Sequence, residues 1–338
     1  MKLATIPAPA PQSESERRDG RLVVVDDAHG RLALVPPAIA PNLREALERW
    51  EMAGPALRQL AADLKAGALA GATLPLSGQT FMAPLPRTTS WIDGSAFIQH
   101  ILLVRKARNA DPPADLRTVP LMYQGTGDPL LGPREDIALA DESWGIDFEA
   151  EVAVVLDDTP MGTTAEQAAD RIRLVLLMND VSLRNLIPRE LAAGFGFFQG
   201  KPATSFAPFA VTPGELGSAW RDGRVHLDVC SYLNGRLVGS PDAGEMHFSF
   251  PQLVAHAART RHLPAGTILG SGTVSNADES RGCGCLAEVR TLESIKEGKP
   301  RTPFMKFGDR VRIEASQGGR SVFGAIEQQV VPYPGGKT

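Results

Sequence analysis

Ile146-Asp147-Phe148-Glu149-Ala150-Glu151-Val152-Ala153-Val154-Val155-Leu156 joins two patterns in eleven residues. Its second half is too apolar for anything but a buried strand, and the spacing predicts one strand over residues 148–156. Side chains alternate along a strand, so Asp147, Glu149 and Glu151 are expected on one face. Neighbours there stand about 6.6 Å apart, where each like-charged pair repels by roughly 2.5 kcal/mol at an effective dielectric near 20. Two readings follow. An exposed strand edge would let water screen the row; otherwise a positive partner is needed, and a hard divalent cation with oxygen ligands, Mg²⁺, Ca²⁺ or Mn²⁺, fits that need.

Outward from this segment, apolar runs predict strands at Leu174 to Met178, Val225 to Leu233, Thr267 to Leu269, Ala287 to Leu292, Val311 to Glu314 and Ser321 to Gln328. Thr163-Thr164-Ala165-Glu166 has the form of a capping box at the start of one intervening helix. Strands outnumber helices and do not alternate strictly with them. The expected class is therefore α+β and strand-dominated, a mixed sheet or β-sandwich in place of a doubly wound parallel fold. Towards the N-terminus, Leu22 to Val25 and Leu32 to Val35 read as a hairpin, and Leu43 to Leu64 as a helix broken near Gly54-Pro55. The proline-rich stretch 7–20 reads as a loop. These elements are expected to form a small N-terminal α/β domain over residues 1–80, with Met82-Ala83-Pro84-Leu85-Pro86 as the boundary to a catalytic domain over 81–333.

Composition narrows the partners. The 338 residues carry 35 Lys plus Arg against 39 Asp plus Glu, a net charge of −4, with no long basic block. Nucleic-acid binding through phosphates needs the opposite balance, so a small molecule is the expected partner. Three cysteines, Cys230, Cys283 and Cys285, are too few for a disulfide framework or a Cys-rich zinc site, which suits a reducing cytoplasm. Prolines interrupt the N-terminus before an export signal could form, and no apolar run reaches the length of a membrane span.

Two more acidic positions stand out. The apolar run Leu174 to Met178 ends in Asn179-Asp180, where Asp180 reads either as a helix N-cap paired with Arg184 or as a site residue. Asp93 and His100 lie seven residues apart; with a helix starting just after Asp93, they would face one cleft with about 10.5 Å of axial rise between them. A histidine there is suited to act as a base near neutral pH.

Together these pieces resemble the fumarylacetoacetate hydrolase family. The resemblance rests on Asp93 with Gln99-His100, Asp147-x-Glu149-x-Glu151, Met178-Asn179-Asp180-x-Ser182-x-Arg184, Gly200-Lys201, Gly270-Ser271-Gly272-Thr273-x-Ser275, and Glu288 after a Gly-Cys stretch, and it covers most of residues 82–330. It implies a mixed β-sandwich or roll catalytic domain, a small N-terminal domain, a homodimer and a Mg²⁺ or Ca²⁺ site. Position by position, it implies Asp93, Glu149, Glu151 and Asp180 as metal ligands, with Asp147 only a strand neighbour. His100 becomes a base oriented by Glu288, Lys201 and Arg184 the cationic groups beside the metal, and Tyr123 and Thr273 substrate contacts. The implied chemistry is hydrolysis of a carbon–carbon bond in a β-diketo acid such as fumarylacetoacetate or an acylpyruvate. Hydratases, isomerases and decarboxylases of 2-oxo acids share the same metal core, and a structural Ca²⁺ clip is the non-enzymatic alternative. Ser95 and Ile187 stand where the tyrosine-pathway enzyme has a tyrosine and a glutamine, so the acyl group accepted here differs in its contacts. Arg105, Lys106 and Arg108 form either a solvated helix face or a carboxylate-binding group.

Overall fold

The computed structural model describes residues 1–69 and 71–335. An eleven-stranded sheet runs through the molecule, and one half of it, out to the edge strand Met122–Gly125, is built in the spatial order Ile172–Asn179, Ala150–Leu156, Ile268–Gly270, Trp91–Gly94 and Met122–Gly125. The N-terminal strands Lys2–Ile6, Arg21–Asp26 and Arg31–Leu34 continue the same sheet through Ala210–Val211. A six-stranded sheet, including Val229–Leu233, Arg310–Gln317 and Ile326–Pro332, packs against the strands Ala150–Leu156 and Ile172–Asn179. The fold is strand-dominated α+β with mixed pairing, as the scarcity of strict strand-helix alternation implies.

The unbroken apolarity of Val152 to Leu156 has a simple cause. Ala150, Val152, Val154 and Leu156 enter one core with the six-stranded sheet, whereas Ala153 and Val155 enter a second core with Leu57 and Leu64 of the helix Trp50–Ala66. A strand covered on both faces has no solvent side on which to alternate. Full burial of each such side chain contributes roughly 1.5–3 kcal/mol, so the strand that begins at Ala150 is a rigid base for whatever stands at its N-terminal end.

Several local expectations change. The strand expected over 148–156 is present but starts two residues later, at Ala150, and Ile146–Asp147 before it pairs separately with Ser182–Leu183. Ala287 to Leu292 belongs to a helix, Leu286–Glu297, because Leu286, Val289, Leu292 and Ile295 recur every three residues, a spacing a strand cannot place on one face. Residues 7–20 include a short helix, Glu14–Asp19, capped by the Ser13 side chain. The N-terminal helical run breaks at Arg49, between Leu43–Glu48 and Trp50–Ala66, and Pro55 is tolerated in the second turn. The capping box near residue 164 pairs Thr164 with Gln167, one residue later than the sequence form suggests. Among the described residues no helix is long and apolar enough to cross a membrane.

Candidate active site

Three carboxylates meet where central strands end. Asp180 follows the last residue of Ile172–Asn179, and its amide donates to the Glu149 carbonyl at 3.0 Å. Met178 pairs with Glu151 in the neighbouring strand. Asp93 arrives from the parallel strand Trp91–Gly94, in register with Gly270, which is itself in register with Ala153. Gly270 has to be glycine: a Cβ there would lie 2.4 Å from Asp93 Oδ1 and 2.7 Å from Met178 Cε. Gly272, at φ +76°, turns its amide to donate to Asp93 Oδ1 at 3.0 Å. Ligand oxygens of Asp93, Glu151 and Asp180 all lie within 4.8 Å of one another.

At that separation each pair of ionised carboxylates repels by roughly 3.5 kcal/mol at an effective dielectric near 20. Burial, then the charge of Asp180, raises the Asp93 carboxyl well above its ordinary range. Burial, then Asp93 and Asp180, does the same to Glu151. Glu151 is fully buried and neither of its carboxylate oxygens has a hydrogen-bond partner. A buried carboxylate with both oxygens free is costly unless a cation claims them. The donor set is all oxygen, which suits a hard divalent ion, so these residues fit the metal that the carboxylate pattern calls for.

Asp180 is also held by protein groups: Tyr123 Oη donates to Oδ2 at 2.6 Å, Thr204 Oγ1 to Oδ1 at 3.0 Å, and Lys201 Nζ lies 2.5 Å from Oδ2. Tyr123 stands opposite Asp93 in the strand Met122–Gly125, and burial followed by the charge of Asp180 raises its phenol well above the usual range, which keeps it a donor. Thr204 carries no signal in the sequence beyond its place three residues after Lys201.

Glu149, the fourth candidate ligand, faces the cations. Arg184 Nη2 donates to Oε1 at 2.6 Å and Lys201 Nζ contacts Oε2. Burial alone would raise this carboxyl, but Lys201, Arg184 and His100 outweigh it and hold Glu149 well below the ordinary range. Burial opposes the Lys201 charge, yet Asp180 and Glu149 raise it above its usual value. Arg184 does not pair with Asp180 as the helical spacing suggested, since Ser182–Leu183 is a strand; it reaches Asp147 and Glu149 instead. Asp147 leaves the acidic row altogether because the chain bends at Phe148-Glu149. Burial still holds its carboxyl above the ordinary range, against Arg184 and the two amides that it accepts from.

His100 and Glu288 come from two packed helices, Ile98–Ala107 and Leu286–Glu297. Asp93 lies in a strand and not at the start of the first helix, but it opens onto the same cleft as His100. The His100 Nδ1 is 2.8 Å from Glu288 Oε1, and Glu288 Oε2 accepts the Gly284 amide at 3.2 Å. On its other side, His100 Nε2 lies 3.5 Å from Thr273 Oγ1 and 3.9 Å from Glu149 Oε1. A carboxylate on Nδ1 fixes the proton there and leaves Nε2 as the acceptor, on the side of Thr273 and Glu149. Cys285 lies close to both side chains, but burial raises its thiol well above the ordinary range, and His100 Nδ1 is already engaged with Glu288.

Part of this group lines a cleft of about 1360 Å³, whereas Glu151, Asp180 and Glu288 do not reach its wall. Its inner end holds Asp93, Glu149, Tyr123, Lys201 and His100; Val104, Ile187 and Phe197 form apolar walls; Ser95 is also exposed to it. Arg105, Lys106, Arg108 and Arg290 stand on its outer side, and among the described residues none of the four is in ion-pairing reach of a carboxylate. Partial desolvation, then Arg105 and Arg184, lowers Arg108 below the usual guanidinium range.

Comparison with known proteins gives a consistent picture. The model of the fumarylacetoacetate hydrolase C-terminal region matches residues 89–331, and that of fumarylacetoacetase N-terminal domain 2 matches residues 1–87. The oxaloacetate tautomerase FAHD2B, mitochondrial, of Homo sapiens is 25% identical over 246 residues, covering 70% of each chain. The 2,4-didehydro-3-deoxy-L-rhamnonate hydrolase of Sphingomonas sp. (strain SKA58) is 26% identical over 216 residues, 63% of this chain and 65% of that one. Among solved structures, maleylpyruvate hydrolase from Sphingobium sp. SYK-6 in complex with manganese(II) ion and pyruvate has the same fold, with TM-score 0.63 and 18% identity over 98% of this chain and 100% of that one.

Proposed function

The chain belongs to the fumarylacetoacetate hydrolase family, and from that premise we propose that it is a metal-dependent hydrolase of a β-diketo acid, fumarylacetoacetate or a related acylpyruvate. The observation that carries this reading is the His100–Glu288 contact of 2.8 Å, with Nε2 turned towards Thr273 and Glu149. A bond between two carbons is hydrolysed only if water is activated beside a carbonyl, and this pair supplies the acceptor.

Asp93, Glu151 and Asp180 would hold the ion, with Glu149 at its edge. When bound, a Mg²⁺, Ca²⁺ or Mn²⁺ ion supplies Lewis-acid polarisation of the substrate's oxygens. The protein's own groups do the rest. His100 Nε2 takes a proton from water as its oxygen attacks the carbonyl that becomes the acid, while Glu288 stabilises the imidazolium. Cleavage leaves the electron pair on the adjacent carbon, delocalised onto its ketone oxygen, where the Lys201 ammonium, with its third N–H, donates to the developing charge and Tyr123 is a substrate contact beside it. Proton return from His100 to that carbon closes the cycle. Thr273 and Arg184 complete the polar wall.

Arg105, Arg108 and Arg290, which donate to backbone carbonyls but have no carboxylate partner among the described residues, support a substrate whose acyl arm ends in a carboxylate, with Val104, Ile187 and Phe197 beside its middle. Assembly as a homodimer belongs to the same proposal and is checked by light scattering of the purified chain.

A second reading, interconversion or decarboxylation of a 2-oxo acid, draws support from the tautomerase among the relatives. An absorbance assay with Mg²⁺ or Mn²⁺ separates the two. Hydrolysis consumes fumarylacetoacetate, fumarylpyruvate or a simple acylpyruvate and yields one equivalent of carboxylic acid. Isomerisation without acid release, or turnover of oxaloacetate alone, would replace the hydrolytic reading with the second.

A further inference from the structure

We propose that Asp147 is a positioning residue that ties the water-activating pair to the cation-binding arm; this rests on the hydrolytic reading for its effect on turnover, but not for its geometry. Asp147 is 0% exposed and touches neither the cleft nor the carboxylate cluster. Its Oδ1 accepts the Leu286 amide at 2.8 Å and its Oδ2 the Ala287 amide at 2.9 Å. These are the first two residues of the helix Leu286–Glu297, whose own cap residue, Cys285, makes no side-chain hydrogen bond. Asp147 thus caps that helix from a distant strand, satisfying two amides that have no partner within it. The very next residue is Glu288. Its carboxylate direction, and with it the His100 ring, follows from where the first turn is pinned.

The same Oδ2 accepts from Arg184 Nε at 2.8 Å, and Arg184 Nη2 holds Glu149 at 2.6 Å. One buried carboxylate therefore sets two arms, one ending on His100 and the other on Glu149, whose Oε1 lies 3.9 Å from His100 Nε2. Asparagine at this position keeps the shape but must turn an NH₂ donor towards an amide or the guanidinium, so one arm is released.

The test uses the full chain with Asp147→Asn, Glu288→Gln and the double variant. Asp147→Asn is expected to lower kcat about 30-fold with KM within about threefold, and the double variant to lose less than the product of the single losses, because both act partly through Glu288. Two readouts do not depend on turnover. Histidine ¹⁵N shifts should show the Nδ1–H form of His100 losing population in Asp147→Asn, and titration with Mn²⁺ alone should show weaker binding. Losses that multiply fully, or an unchanged His100 signal with unchanged Mn²⁺ affinity, would overturn the proposal. A wild-type chain inactive on every diketone would sink the hydrolytic reading while the two binding and tautomer readouts still decide this one. If Asp147→Asn does not fold, lactic acid in place of Ala287 deletes a single N–H, and the same two readouts apply.

Discussion

Asp19 and Glu151 are both buried carboxylates, 1% and 0% exposed, and the protein treats them in opposite ways. Asp19, in the N-terminal region, is enclosed by donors: Arg87 Nε at 2.5 Å and Nη2 at 2.8 Å, Ser15 at 2.9 Å, and Arg44 at 3.4 Å. Burial raises its carboxyl, but Arg87, Ser15 and Arg44 outweigh this and hold it below the ordinary range. Glu151 has no donor on either oxygen, and its carboxyl is raised. Where only structure is at stake, the fold completes the ion pair. At the end of the central strands it does not, and the incomplete pairing is what the proposed cation would complete.

Breaking each side of this contrast should have a different signature. Glu151→Gln is expected to cut turnover and Mn²⁺ affinity each by about a hundredfold, the upper end of the range for groups that support a metal, yet raise the melting temperature of the metal-free protein near neutral pH, because the cost of keeping a buried carboxyl either protonated or charged without a partner is gone. A melting temperature that falls would show that Glu151 is satisfied in solution. His100→Ala should lower kcat by 10²–10⁴, the usual weight of a positioned acid or base, while leaving Mn²⁺ binding as it is; calorimetric titration checks the second half.

Arg87→Ala, at the other end of the comparison, should cost roughly 3 kcal/mol of stability, as for other broken buried ion pairs, with kcat and Mn²⁺ affinity unchanged. The pH dependence follows from the signs. Asp19 is lowered in the folded state, so its contribution is complete above its unfolded value of about 3.9 and is lost as pH falls through the folded one. Asp93 and Glu151 are raised, so the folded metal-free protein holds their protons more tightly than the unfolded chain, and its stability falls as pH rises from about 4 through their raised values. Melting curves of the metal-free protein should therefore improve from pH 8 to pH 5.5, Mn²⁺ should erase the difference, and Arg87→Ala should lessen the further loss seen in stronger acid. The smallest effect belongs to the outer cleft: Arg108→Ala should raise KM about tenfold for a substrate with a second carboxylate, the weight of one charged hydrogen bond, and hardly at all for one without. Equal changes for both substrates would remove Arg108 from recognition.

How far the site was legible varies by residue. The acidic positions drew attention because charge beside a continuous apolar run is costly wherever it folds. The link from His100 to Glu288 came only through the family resemblance, since 188 residues separate them. Asp147 looked like one more member of the acidic row and turned out to cap a remote helix. The same helix reads as a strand over Ala287 to Leu292, because Ala287, Val289 and Thr291 mimic strand alternation in a window of less than two helical turns.

Periodicity and composition determined what is local: which segments are buried, that strands dominate, and that a row of carboxylates needs either solvent screening or a positive partner. The tertiary structure alone decided which carboxylates meet and which cations answer them. The reason is geometric, because strand register and helix docking join positions as distant as 93, 151, 180 and 288, and a one-residue change in register would send each side chain to the opposite face.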